Sequence, residues 1–108
     1  MTYTGPLELL QDHATEVAQR LRTLANRDRL IMLCRMSTGE VSVNELVELT
    51  GLPQPTVSQH LAMLRDSGTV EVRAEAQTRY YRIQDMQVAA IIEALCNICA
   101  PREDSASQ

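Results

Sequence analysis

The chain has 108 residues, 44% of them apolar, and a formal net charge of −4; that length fits one domain built on a single core. The first ten residues carry no signal-peptide pattern, and no apolar run approaches the roughly 18 residues a membrane span needs, so a cytoplasmic protein with no membrane partner is expected. Three cysteines in a reducing compartment exclude a disulfide framework and leave thiols that are either chemically active or simply buried.

An acidic total weighs against nucleic acid, because affinity for DNA comes largely from neutralising phosphates. The distribution weighs the other way. Arg20, Arg22, Arg27, Arg29 and Arg35 cluster against Asp28 alone, whereas the stretches 1–19, 36–52 and 83–108 are acidic. Every basic residue is arginine, the side chain suited to bidentate phosphate and base contacts.

Leu7, Leu10, Val17, Leu21 and Leu24 recur at helical spacing and predict an amphipathic helix over 7–24. A second helix is predicted over 27–37, with Leu30, Ile31, Leu33 and Cys34 on its apolar side, ended by Thr38 and Gly39. Ser42-Val43-Asn44-Glu45 is a capping box that opens a third helix, 43–50, stopped at Gly51. Pro55 suits the first turn of a fourth helix, 54–67, with Gly68 at its end and Val57, Leu61 and Leu64 as the buried stripe.

From 69 to 83 the pattern changes to period two, through Val70, Val72, Tyr80 and Ile83, with Ala74 to Thr78 turning a hairpin. Tyr80 and Tyr81 must face opposite sides of that hairpin, and burial is the expected fate of each. Asp85 caps a last helix, 86–99, whose apolar face is Val88, Ile91, Ile92, Leu95, Ile98 and Cys99; Pro101 stops it. The predicted fold is mainly α with a β-hairpin wing: a winged helix-turn-helix of four helices, two strands and a fifth helix. Residues 1–101 form its DNA-binding and dimerisation domain, and 102–108 a disordered polar tail.

Two short helices joined at 51–54 and followed by a hairpin are the arrangement that inserts a recognition helix into the major groove. The exposed side of 54–67 offers Gln54, Thr56, Ser58, Gln59, His60 and Met63. Gln59 suits a bidentate contact to adenine, Thr56 and Ser58 a phosphate or a base, and His60 a phosphate or guanine. In the wing, Arg73, Arg79 and Arg82 are candidates for phosphate contact, Arg79 nearest the tip. His13 reads as a surface or interface residue, and no cofactor is expected.

Cys96 and Cys99 lie three apart on one helical face, and together with Cys34 they offer three thiolates to a soft thiophilic ion. Cys96-Asn97-Ile98-Cys99 is a poor match to a dithiol oxidoreductase, whose reactive thiol sits at a helix N-terminus; this pair sits at a C-terminus, where the helix dipole opposes a thiolate. The chain is therefore not expected to be an enzyme. Arg35 and Arg102 are the cations available to assist Cys99.

The strings LANRDRLIMLC, SVNELVELTGLPQPTVSQHLAMLRDSGTVEVRAEAQTRYYRI and AIIEALCNICAP resemble the ArsR/SmtB family over about residues 17–101. The resemblance implies a homodimer joined by the first and last helices, bound to double-stranded operator DNA as a transcriptional repressor and released by a small inorganic inducer. The Cys-x-Cys element of the arsenic and cadmium sensors has no match in Asn44-Glu45-Leu46-Val47-Glu48, and the last helix has no histidine to match the zinc and nickel sensors. Cys34 in IMLC and Cys99 in NICAP instead match the two positions of the persulfide-responsive branch. There, reactive sulfur species bridge the two thiols within a protomer and weaken DNA binding. Cys96 has no counterpart in that pattern.

Three functions remain in competition. One is a thiol-switch repressor acting through Cys34 and Cys99. The second is a repressor released by a thiophilic metal or metalloid (As, Sb, Cd or Zn) held by Cys34, Cys96 and Cys99. The third is a winged helix that binds protein rather than DNA, which the arginine cluster and the polar recognition face disfavour.

Overall fold

The computed structural model describes residues 5–100, so the reading of 102–108 as a tail lies outside the described residues. Local signals account for most of the helix boundaries. Helix α1 (Pro6–Leu24) begins with proline at its first position, and the Gly5 N–H donates to Glu8 Oε1 at 2.9 Å. Asn26 Oδ1 accepts from the amides of Asp28 and Arg29, both at 3.0 Å, and opens α2 (Arg27–Met36). The predicted capping box is present at α3 (Val43–Thr50): Ser42 N–H donates to Glu45 Oε1 at 2.9 Å, and Glu45 N–H to Ser42 Oγ at 3.2 Å. Gly51, at φ 72°, ends that helix in a backbone region a side chain would strain. Helix α4 (Gln54–Asp66) follows Pro53, and α5 (Met86–Cys99) starts on Asp85, whose carboxylate accepts from Gln87 N–H and Val88 N–H.

The sheet differs from expectation. It has three strands, not two: β1 (Val41–Ser42), β2 (Val70–Glu75) and β3 (Thr78–Ile83), in the order β1-β3-β2 and antiparallel throughout. Two residues carry no readable period, and Ser42 advertises a helix cap, so β1 is defined only by its pairing with Tyr80 and Tyr81. The wing turn is also tighter than predicted. Glu75 still pairs with Thr78, which leaves Ala76 and Gln77 to reverse the chain, Ala76 at φ 55°.

Met32, Leu33, Leu46, Val57, Leu61, Leu64, Val70, Val88 and Ile92 form a fully buried core with Val41. The predicted stripe of α4 points into it, so the opposite side of α4 faces out. Of the two wing tyrosines only Tyr81 joins the core; Tyr80 is half-buried, with the Arg73 guanidinium 4.9 Å from its ring centroid.

The two terminal helices are incompletely covered. In α1 only Leu24 is buried, and Leu7, Leu9, Leu10 and Leu21 are exposed. In α5, Met86 and Ile98 are each 77% exposed. Separately scattered exposed apolar residues are ordinary, but these recur along the same two helices, so the domain alone leaves much of their apolar faces open.

Candidate DNA interface and thiol cluster

Helix α3, the N-terminal half of α4 and the tip of the wing enclose an open cleft of about 420 Å³. Gln54 and Ser58 of α4 and Arg79 of β3, all predicted from sequence as DNA contacts, meet in its walls. Gln59 is exposed on α4 beside them, while Thr56 and His60 are half-buried. Asn44, Gln77 and Thr78 also line the cleft and were missed. Asn44 was read only as part of a cap, and the other two only as a turn; nothing local shows that the tip and α3 converge.

The wing arginines divide. Arg73 is a bidentate partner of Glu40 (2.8 and 3.0 Å) and also holds Glu75 at 2.6 Å, while Arg82 pairs with Glu71 directly across the sheet. The Glu40 and Glu75 contacts raise the Arg73 pKa, and the same bond to Arg73 lowers that of Glu40. Both arginines are thus engaged by carboxylates of the wing and its neighbourhood while their side chains stay exposed. Arg79 has no carboxylate partner among the described residues. It remains the wing cation available to a phosphate.

The three cysteines gather where α2 meets α5. Cys34, Cys96 and Cys99 line one apolar cavity of about 300 Å³ with Leu30, Ile31, Ile92 and Leu95. Cys34 and Cys99 are exposed and Cys96 is half-buried, all three as free thiols. The alternative of Cys34 as a core residue is overturned: Met32 and Leu33 take the buried positions on α2 and turn Cys34 outward. The neighbouring Cys34 side chain, then burial and the Cys34 and Cys99 charges, push the Cys96 pKa up to about 11. Arg35 lies toward α3, 3.6 Å from Glu45, rather than at Cys99. Among the described residues, no three His, Cys, Asp or Glu side chains converge as a metal site. His13 is a surface residue, 3.5 Å from Glu16.

The family model described as bacterial regulatory protein, arsR family, matches residues 26–72, which run from the cap of α2 into β2. The chain is 45% identical over 100 residues to the biofilm growth-associated repressor of Agrobacterium fabrum, covering 92% of this chain and 86% of that one. The chain belongs to the ArsR family. It is a DNA-binding transcriptional regulator with the family's winged helix-turn-helix. Among solved structures, the transcriptional repressor BigR from Xylella fastidiosa superposes with a TM-score of 0.82 at 38% identity, over 94% of this chain and 100% of that one. Reduced HlyU from Vibrio cholerae gives 0.82 at 36% identity, over 87% and 99%. No helix among the described residues is long and apolar enough to cross a membrane.

Proposed function

We propose that this chain, a transcriptional repressor of the ArsR/SmtB family, binds operator DNA as a homodimer and leaves it when reactive sulfur species bridge Cys34 and Cys99 within a protomer. Gln54, Thr56, Ser58, Gln59 and His60 present the recognition surface, and Arg79 holds phosphate from the wing. The observation that carries the sensing reading is the shared apolar cavity of Cys34 and Cys99 at the seam between α2 and α5. Helix α2 leads into the helix-turn-helix and α5 carries an uncovered apolar face, so a bridge between them reaches both the DNA surface and the proposed dimer contact. A dimer must place its two recognition helices one DNA turn, roughly 34–36 Å, apart, and small shifts at that seam alter this spacing.

The comparisons support the class: the Agrobacterium and Xylella relatives are named repressors, and one neighbour is described as reduced HlyU. The test is operator binding by fluorescence anisotropy with reduced and polysulfide-treated protein. Reduced wild type should bind and treated wild type release, while Cys34→Ser and Cys99→Ser each stay bound and Cys96→Ser still responds. Release by arsenite that needs Cys96, with no response to polysulfide, would establish the three-thiolate sensor instead.

A further inference from the structure

Strand β1 supports the wing only at its base. Val41 pairs with Tyr81 and Ser42 with Tyr80, and the register ends there, so Ala74, Glu75, Thr78 and Arg79 pair only across the hairpin and carry the turn beyond that support. Arg73 stands on the last supported line, where Ser42, Tyr80 and Arg73 face one another across the three strands. Its guanidinium passes over the Tyr80 ring to Glu40, the residue leading into β1, with Nε 3.0 Å from Oε2 and Nη2 2.8 Å from Oε1. Its Nη1 donates to Glu75, in the unsupported part, at 2.6 Å. Every nitrogen of that guanidinium therefore meets a carboxylate.

We propose that Glu40 is a positioning residue for DNA binding: acting through Arg73, it holds the base of the wing so that Arg79 is in place for a phosphate before the protein meets DNA. The inference rests on the reading of Arg79 as a phosphate contact. Strand alternation sets Arg79, next to Tyr80, on the sheet face opposite Arg73, and that face turns Arg79 and Tyr81 into the cleft with Gln54 and Ser58. Glu40 is not among the residues that line this cleft. It acts from behind the wing.

An isolated surface ion pair does little, but a bidentate arginine–carboxylate pair within a charge network is the exception, because the fork fixes direction as well as distance. The competing anchor, backbone pairing to β1, is only two residues long. A wing loosened at its base can still lay Arg79 on a phosphate, but its tip must then be ordered during binding. Affinity falls while the number of phosphates neutralised stays the same. The sign separates this role from simple electrostatics: as a bare charge Glu40 repels DNA and its removal tightens binding, whereas as a positioning residue its removal weakens it.

The experiment measures operator affinity over a salt series for full-length wild type, Glu40→Gln, Arg79→Ala and the double variant, with circular dichroism melts showing each chain folded at the binding temperature. Glu40→Gln should bind roughly two- to fivefold more weakly, the range of a half-exposed ion pair, and keep the wild-type salt slope. The double variant should bind no more weakly than Arg79→Ala, because Glu40 works through the Arg79 contact; a general loss of stability would add to it instead. Equal or tighter binding by Glu40→Gln overturns the proposal, as do losses that add in the double variant. Either result beside an impaired Arg79→Ala leaves the phosphate reading of Arg79 standing. If Arg79→Ala matches wild type in both affinity and salt slope, that reading fails and the positioning role falls with it.

Discussion

Arg20 Nε donates to Asp85 Oδ2 at 2.9 Å, joining α1 to the residue that caps α5 across 65 positions of sequence. The same carboxylate accepts from the Gln87 and Val88 amides at 3.0 and 3.3 Å. One side chain thus starts the last helix and ties it to the first, and these are the two helices with uncovered apolar faces.

Asp85→Ala is expected to cost about 1–2 kcal/mol for the lost cap, with up to about 1 kcal/mol more for the partly exposed ion pair. Asp85→Asn keeps an N-cap acceptor and should lose only the ion-pair part. Burial alone would raise the Asp85 pKa, but Arg20 and the two amides outweigh it and hold it below the ordinary carboxylate value. Its contribution is therefore complete above the unfolded value of about 3.9 and is lost as pH falls through the lower folded value. Denaturant melts from neutral pH to below that window should show a shallower acid loss in Asp85→Asn than in wild type.

On the recognition helix, Gln59→Ala should reduce discrimination between operator and random DNA by roughly 1–3 kcal/mol if the amide makes a bidentate adenine contact. Competition binding with both DNAs measures it. Equal losses on the two would reassign Gln59 to the backbone.

In the wing, Arg79→Ala should weaken binding to all sequences and lower the slope of log affinity against log salt by about 0.9 for one phosphate lost. Arg73→Ala should leave that slope nearly unchanged, because Glu40 and Glu75 already engage its guanidinium. Salt titrations of the two variants separate these roles. A slope change in Arg73→Ala matching that of Arg79→Ala would return Arg73 to the DNA.

The exposed Leu21 and Ile98 predict a homodimer with two-fold symmetry at micromolar concentration. Leu21→Glu with Ile98→Glu should give a folded monomer by light scattering and circular dichroism, with weakened operator binding. A wild-type monomer under the same conditions would remove the dimer reading.

At the thiol cluster, Cys96 should be the slowest of the three cysteines to react with iodoacetamide at pH 8, because its pKa is raised to about 11. Its rate should climb with pH up to that value. Cys34→Ala removes the leading cause of the shift, so Cys96 in that variant should alkylate faster at pH 9. An unchanged rate would mean that burial, rather than Cys34, protects the proton.

Much of the fold is readable in the chain because its signals act within three or four residues. Asn26, the Ser42–Glu45 box and Asp85 start three helices by bonding amides two or three positions ahead, and Val57, Leu61 and Leu64 mark the buried side of α4 by spacing alone. That same spacing exposed Gln54, Ser58 and Gln59. Tertiary structure decided whatever depended on distant partners: β1 exists only through β3, and Arg73 is engaged by Glu40, 33 positions away. Cys34 turns outward because Met32 and Leu33 occupy the core, and it meets Cys96 only because α2 packs on α5. Local capping and periodicity set which way each helix starts and which side it buries; packing brings residues far apart in sequence together, and that fixed which arginine and which thiols are free to react.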